Sequence, residues 1–150
     1  MNHNFYGITQ DPETKDYMMV LNDKLCKICN CMCNAIHFQR NFDNWTSGNN
    51  EIDEFIQDTQ LLAHYYTPKA LEWIPYDRFY NIKCIAEDGF GKVYKANWID
   101  GNIHNWDYKN QNWNRNGQNM LVILKSLTNP TNNISEYLMN EVNLLFNGIF

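Results

Sequence analysis

The chain has 150 residues, 44% of them hydrophobic, and a formal net charge of −5, which allows one modest core. The acidic balance argues against a nucleic-acid or anionic-membrane surface, and no run approaches the roughly eighteen apolar residues of a membrane span. Met1-Asn2-His3-Asn4 opens no basic-then-apolar leader, and the cysteines are clustered, so a reducing cytoplasm is the expected compartment.

Phe5-Tyr6-Gly7-Ile8-Thr9 and Tyr17-Met18-Met19-Val20-Leu21 read as two short strands around a turn that carries Asp11, Pro12 and Asp16. Cys26, Cys29, Cys31 and Cys33 follow, with His37 four residues on. Thiolates and imidazole are zinc ligands. The usual structural site, however, draws two Cys pairs from segments a dozen or more residues apart, and four thiols between positions 26 and 33 strain a single mononuclear site. Reduced loop cysteines, a zinc site and a disulfide all remain open.

Asn50 with Asp53 predicts a capped helix start, and Glu51, Asp53 and Glu54 in the first turn favour the helix dipole. Ile52, Phe55, Ile56, Thr59, Leu62 and Tyr66 predict an inward stripe. The helix is expected to reach about Tyr65 and to end before Pro68, with Trp73 anchoring the apolar connector that follows. Ile82, Cys84 and Ile85, then Val93, Tyr94 and Ala96, predict two strands around Gly89-Phe90-Gly91. Glycine there permits positive φ and close approach, and the backbone N–H groups of such a turn can cradle phosphate.

Residues 99–119, rich in Asn and Trp, show no clear period and read as a long loop. Trp98, Trp106 and Trp113 could stack on bases, but His104, Lys109 and Arg115 supply too little charge for a nucleic-acid site. Val122-Ile123-Leu124-Lys125 reads as a strand ending in a lysine. Asn133 with Glu136 predicts a capping box, and Leu138, Glu141, Val142 and Leu145 share one helical face. Glu141 on that apolar face wants a cation, and Lys125 is the candidate.

A glycine turn, a strand lysine and an inward helical glutamate, in that order, resemble the N-terminal lobe of a protein kinase. The text from Asn34 through Gly101, including Asn44-Trp45-Thr46-Ser47-Gly48 and Glu72-Trp73-Ile74-Pro75-Tyr76-Asp77-Arg78-Phe79, is similar to an expanded fungal family of tyrosine-kinase-like proteins. The resemblance implies an α+β chain in three parts. Residues 1–25 would be a hairpin like the fourth and fifth lobe strands, with Leu21 near the gate of the adenine pocket. Residues 26–75 would be a Cys-rich and helical pre-kinase region, and 76–150 a truncated lobe of three antiparallel strands and helix C. The resemblance also implies ATP with magnesium, held around Ile85, Asp88, Gly89, Phe90, Gly91, Val93, Ile123, Lys125 and Glu141. Lys125 would pair the α/β-phosphates, Glu141 would hold Lys125, and a protein substrate or signalling partner would accept phosphate on Ser, Thr or Tyr.

Departures from that pattern weaken the activity expected. The family's three glycines align as Ala86, Asp88 and Gly91, so Asp88 sets a negative charge where phosphate approaches. Ile123 stands where the family has a small alanine. No His-Arg-Asp or Asp-Phe-Gly occurs, so no complete catalytic set is expected and the chain should be inactive alone. The hairpin precedes the strands it should follow, which suggests a remnant of two fused copies, with a permuted lobe whose hairpin adds to the sheet edge as the competing account. The competing expectations are a zinc-binding or helix-mediated protein-interaction module built on Cys26, Cys29, Cys31, Cys33 and His37, or a non-functional gene remnant.

Overall fold

The computed structural model describes residues 5–21, 25–65, 67, 70–88, 91–126 and 134–147. In chain order they form β1 (Phe5–Gln10), β2 (Tyr17–Leu21), α1 (Asn34–Gln39), α2 (Asn50–Leu61), β3 (Phe79–Asp88), β4 (Gly91–Trp98), β5 (Asn102–Asp107), β6 (Asn112–Asn116), β7 (Met120–Lys125) and α3 (Ile134–Asn147). Short 3-10 turns lie at Phe42–Asn44 and Tyr76–Arg78. The chain is mixed α+β, with antiparallel sheets in the orders β1-β2, β3-β4-β7 and β5-β6. No described helix is long and apolar enough to cross a membrane.

The β1-β2 hairpin forms where the two short apolar runs and the turn residues predict it. Asp11 closes the turn by accepting from the backbone N–H groups of Glu13 and Thr14, at 2.8 and 3.2 Å. In the three-stranded sheet β4 is central, with Val93 opposite Lys125 and Ala96 opposite Val122. Gly91 opens β4 at φ 145°, and a Cβ there would sit 2.3 Å from the Ser126 carbonyl oxygen. Only glycine lets β4 and the end of β7 approach this closely. Lys92 and Ser126 use the space: Ser126 N–H donates to Lys92 C=O at 2.8 Å, and Lys92 N–H donates to the Ser126 hydroxyl at 2.8 Å.

Residues 99–119 are not a long loop. They fold as the β5-β6 hairpin, whose turn is built by side chains that a search for period passes over. Asp107 accepts from the N–H groups of Lys109 and Asn110, and Gln111 takes the left-handed region at φ 51°. Trp106 and Trp113 are cross-strand partners, which gives the hairpin an apolar face.

The helix α2 also differs in detail. Its cap is Asn49, whose side chain accepts from Glu51 and Ile52 N–H, while Asp53 reaches back to Ser47 N–H at 2.7 Å and to the Thr46 hydroxyl at 2.6 Å. The cap therefore stands one residue before Asn50, and Asp53 braces the preceding loop instead of closing a capping box. The helix stops at Leu61, well short of Tyr65, and turns Ile56 and Gln60 inward, while Leu62 is exposed. Thr59 and Gln60 hold the connector, through bonds to Leu71 N–H and Leu71 C=O. Asn133 lies outside the described residues. The last helix, α3, meets α2, and a hydrogen bond joins the Ser135 hydroxyl to the Glu51 carboxylate.

Burial is concentrated in the middle of the chain. One cluster holds Cys26, Cys33, Ala35 and Ile36, and a second holds Phe38, Ala63 and Ile103, with Phe42, Ala70 and Trp113 against it. The ion pair of Glu72 with Arg115 (2.6 Å) ties the connector to β6 beneath this core.

Candidate metal centre

Four side chains with metal-ligating atoms converge at the start of α1. The Sγ atoms of Cys26, Cys29 and Cys33 and a ring nitrogen of His64 all lie within 4.8 Å of one another. His64 Nδ1 is 3.4 Å from Cys26 Sγ and 3.3 Å from Cys33 Sγ. Around a tetrahedral zinc, sulfur and nitrogen ligands stand about 3.6 Å apart and two sulfurs about 3.8 Å apart, from bond lengths of about 2.3 and 2.05 Å. The donor set is three cysteine sulfurs and one imidazole, and its two sulfur–nitrogen separations at His64 are within a few tenths of an ångström of what the ion imposes.

The local backbone explains the convergence. Residues 26–31 close a tight turn in which Asn30 N–H bonds to Cys26 C=O at 2.8 Å and Cys26 N–H to Cys31 C=O at 3.1 Å. Asn30 takes the left-handed region at φ 51°, which asparagine tolerates. Cys33 occupies the cap position of α1, but its side chain makes no capping bond, so its sulfur stays available. His64 is brought in by the chain beyond α2, where its carbonyl accepts from Asn34 N–H at 3.2 Å. Tyr108, on the β5-β6 turn, donates to Met32 C=O at 2.6 Å and buttresses the thiol loop from the far side.

Without a metal the thiols perturb one another. Partial burial opposes ionisation of Cys29, but hydrogen bonds from Cys31, Cys33 and Cys26 outweigh it and lower Cys29 to about 6. Burial pushes Cys33 up to about 12, helped by Cys29 and Cys26. Cys31 is raised, first by its bond to Cys29 and then by burial, and the same thiols lift Tyr65 to about 12. One thiolate is therefore ready at neutral pH, and a second, more buried one needs a cation to form.

The ligand set differs from the sequence expectation at two positions. Cys31 stands 3.1 Å from Cys29 Sγ but does not join the group of four. His37, proposed from its nearness in sequence, is buried on α1 and stacks on Trp106 with ring centroids 4.1 Å apart. Tyr108 and Trp113 meet it edge-on. Burial, and then the charge of Arg40, lower His37 to about 4, so it is a neutral core residue. The helix turns its ring toward the aromatic hairpin, away from the thiols. His64, 31 residues after Cys33, takes the place instead. The signal for it was the need for a second chain segment to approach the ion, which a search confined to residues 26–37 could not use.

The residues assigned to nucleotide by resemblance fall as follows. Val93, Ile123 and Lys125 share one face of the β3-β4-β7 sheet, since Val93 pairs with Lys125 and Lys95 with Ile123. Ile85 sits in the irregularity between Cys84 and Ala86, and both Ile85 and Ile123 are exposed. Asp88 ends β3 and Gly91 begins β4, while Gly89 and Phe90 lie outside the described residues. Among the described residues Lys125 and Glu141 form no ion pair, and α3 packs on α2.

Comparison of the chain with protein-family models, with curated proteins and with solved structures finds no match.

Proposed function

We propose that Cys26, Cys29, Cys33 and His64 bind one zinc ion and that the chain is a zinc-stabilised module. The observation that carries this reading is the arrival of His64, from beyond α2, at the sulfurs of a loop more than thirty residues earlier. Three thiolates and an imidazole in tetrahedral reach suit zinc above harder ions. All four positions are filled by protein, so the centre is structural: it has no open site for water or substrate. Its work is to fix the surface around it, where Ile28, Leu62 and Tyr65 are exposed. A fixed apolar surface of this kind suits a protein partner. The test is metal analysis of the chain purified without chelator, followed by cobalt substitution. One zinc per chain, lost in Cys33→Ser and His64→Ala, and a cobalt form with thiolate charge-transfer absorption are the expected results. A cooperatively folded chain that holds no metal and does not respond to added zinc would overturn the reading.

A second reading, a kinase-like nucleotide lobe, is favoured by one observation: the antiparallel order β3-β4-β7, followed by α3, with Lys125 facing the strand that leaves the glycine turn. By resemblance this lobe would hold Mg-ATP, and without a catalytic loop it would not transfer phosphate by itself. A saturable rise in melting temperature with Mg-ATP that Lys125→Ala abolishes is the expected result. An equal response from the variant would remove Lys125 from any such site.

A further inference from the structure

We propose that Cys29 and Cys31 are a reversible dithiol–disulfide pair whose oxidation takes Cys29 out of the metal centre. The consequence for zinc rests on the zinc reading, whereas the pairing of the two sulfurs does not. Their separation of 3.1 Å is shorter than the roughly 3.8 Å that two thiolates keep on one tetrahedral zinc. Cys31 is thus placed against a ligand without being one. The left-handed turn at Asn30, closed by the bonds between Cys26 and residues 30 and 31, brings the two side chains together. Cys26 and Cys33 are buried, but Cys29 and Cys31 are only partly so, which gives an oxidant access to this pair first. A second polar group stands nearby, the Tyr65 hydroxyl, 3.7 Å from Cys31 Sγ.

The oxidant that fits is hydrogen peroxide. The Cys29 thiolate attacks one peroxide oxygen, the O–O bond breaks, and hydroxide leaves and takes up a proton to become water. Cys29 is then a sulfenic acid. Cys31 sulfur attacks the Cys29 sulfur, the S–O bond breaks, and the departing hydroxide leaves as water with the Cys31 proton. Two electrons have passed from the sulfur pair to the O–O bond, and one S–S bond has formed. Zinc keeps Cys26, Cys33 and His64 but loses its third sulfur, and three ligands hold it less tightly than four. A dithiol reductant reverses the step by thiol–disulfide exchange.

The experiment treats the zinc-loaded chain with stoichiometric hydrogen peroxide and follows zinc release with a chromogenic chelator, free thiols, and the mass of the peptide 28–40. In the parent, zinc release should accompany the loss of two thiols and of two hydrogens from that peptide, with full reversal by dithiothreitol. Cys31→Ser should bind zinc as the parent does and release it at least tenfold more slowly. The disulfide should form in Cys33→Ser and be absent in Cys31→Ser. A Cys31→Ser chain that releases zinc at the parental rate, or a disulfide that persists without Cys31, would overturn the proposal. If the chain holds no zinc, the zinc reading falls alone, and the same peptide map on the metal-free chain decides the pairing.

Discussion

The middle of the chain and the β3-β4-β7 sheet solve their structures in opposite ways. The middle takes contacts from distant segments: the thiol loop meets His64, α1 lays His37 and Phe38 on the tryptophans of β5-β6, and Glu72 reaches Arg115. The sheet has nearly complete strand pairing, and Ala96 and Trp98 of β4 are buried, but Ile85, Leu121 and Ile123 are each more than half exposed. Backbone hydrogen bonds align a sheet, but burial of apolar area supplies most of the stabilisation. The middle is therefore the stable body, and the sheet depends on whatever covers it. The largest test of this contrast is metal removal. Chelation should lower the melting temperature of the middle by roughly 10 °C or more, since structural zinc contributes several kcal/mol to folding. Hydrogen exchange in α1, β5 and β6 should report that loss while exchange in β3, β4 and β7 changes little. Equal loss in both regions would show that they unfold as one unit.

Next in size is the Glu72–Arg115 pair. Glu72 is mostly buried, and burial raises its pKa, while the hydrogen bonds and charge of Arg115 pull it back down. Arg115 also donates to Gly101 C=O at 2.7 Å, which locks β6 to the start of β5. Glu72→Ala should cost about 3 kcal/mol in urea unfolding, because it leaves a largely desolvated cation unpaired. Replacing both partners with Leu and Met should recover much of that loss. If the double variant is no better than the single, the pair acts through geometry that apolar groups cannot replace.

What could be read from the sequence divides along the same contrast. The β1-β2 hairpin, β3, β4, β7 and the body of α2 were legible, since apolar runs, glycine placement and helical spacing act within a few residues. Cys26, Cys29 and Cys33 were legible by residue type as candidates for a metal, and the structure brings them into one cluster that could hold an ion. His64 and the β5-β6 hairpin were not. The first depends on how α2 returns the chain to residue 34, and the second on Asp107 and Gln111 making a turn inside a stretch of asparagines. His37 shows the same limit from the other side. Its nearness to the thiols in sequence suggested a ligand, whereas its place on α1 made it core.

That placement gives the smallest of these effects and the one most specific to the middle region. In the folded chain His37 titrates at about 4, against an ordinary value of 6.5, because burial and Arg40 disfavour its charged form. The unfolded chain therefore takes up a proton at higher pH than the folded one. The stability from keeping His37 neutral is fully present above about 6.5 and is lost as pH falls from there through about 4. At pH 5.5 the loss amounts to roughly 1 kcal/mol. His37→Phe keeps a ring against Trp106 and removes the proton site, so its stability should fall less than the parent's between pH 7 and 5.5. Every other group is common to the two chains and cancels in the difference, which isolates His37. Parallel pH profiles for the two chains would mean that the folded protein accommodates the charged imidazole, and that the aromatic box around it opens to water.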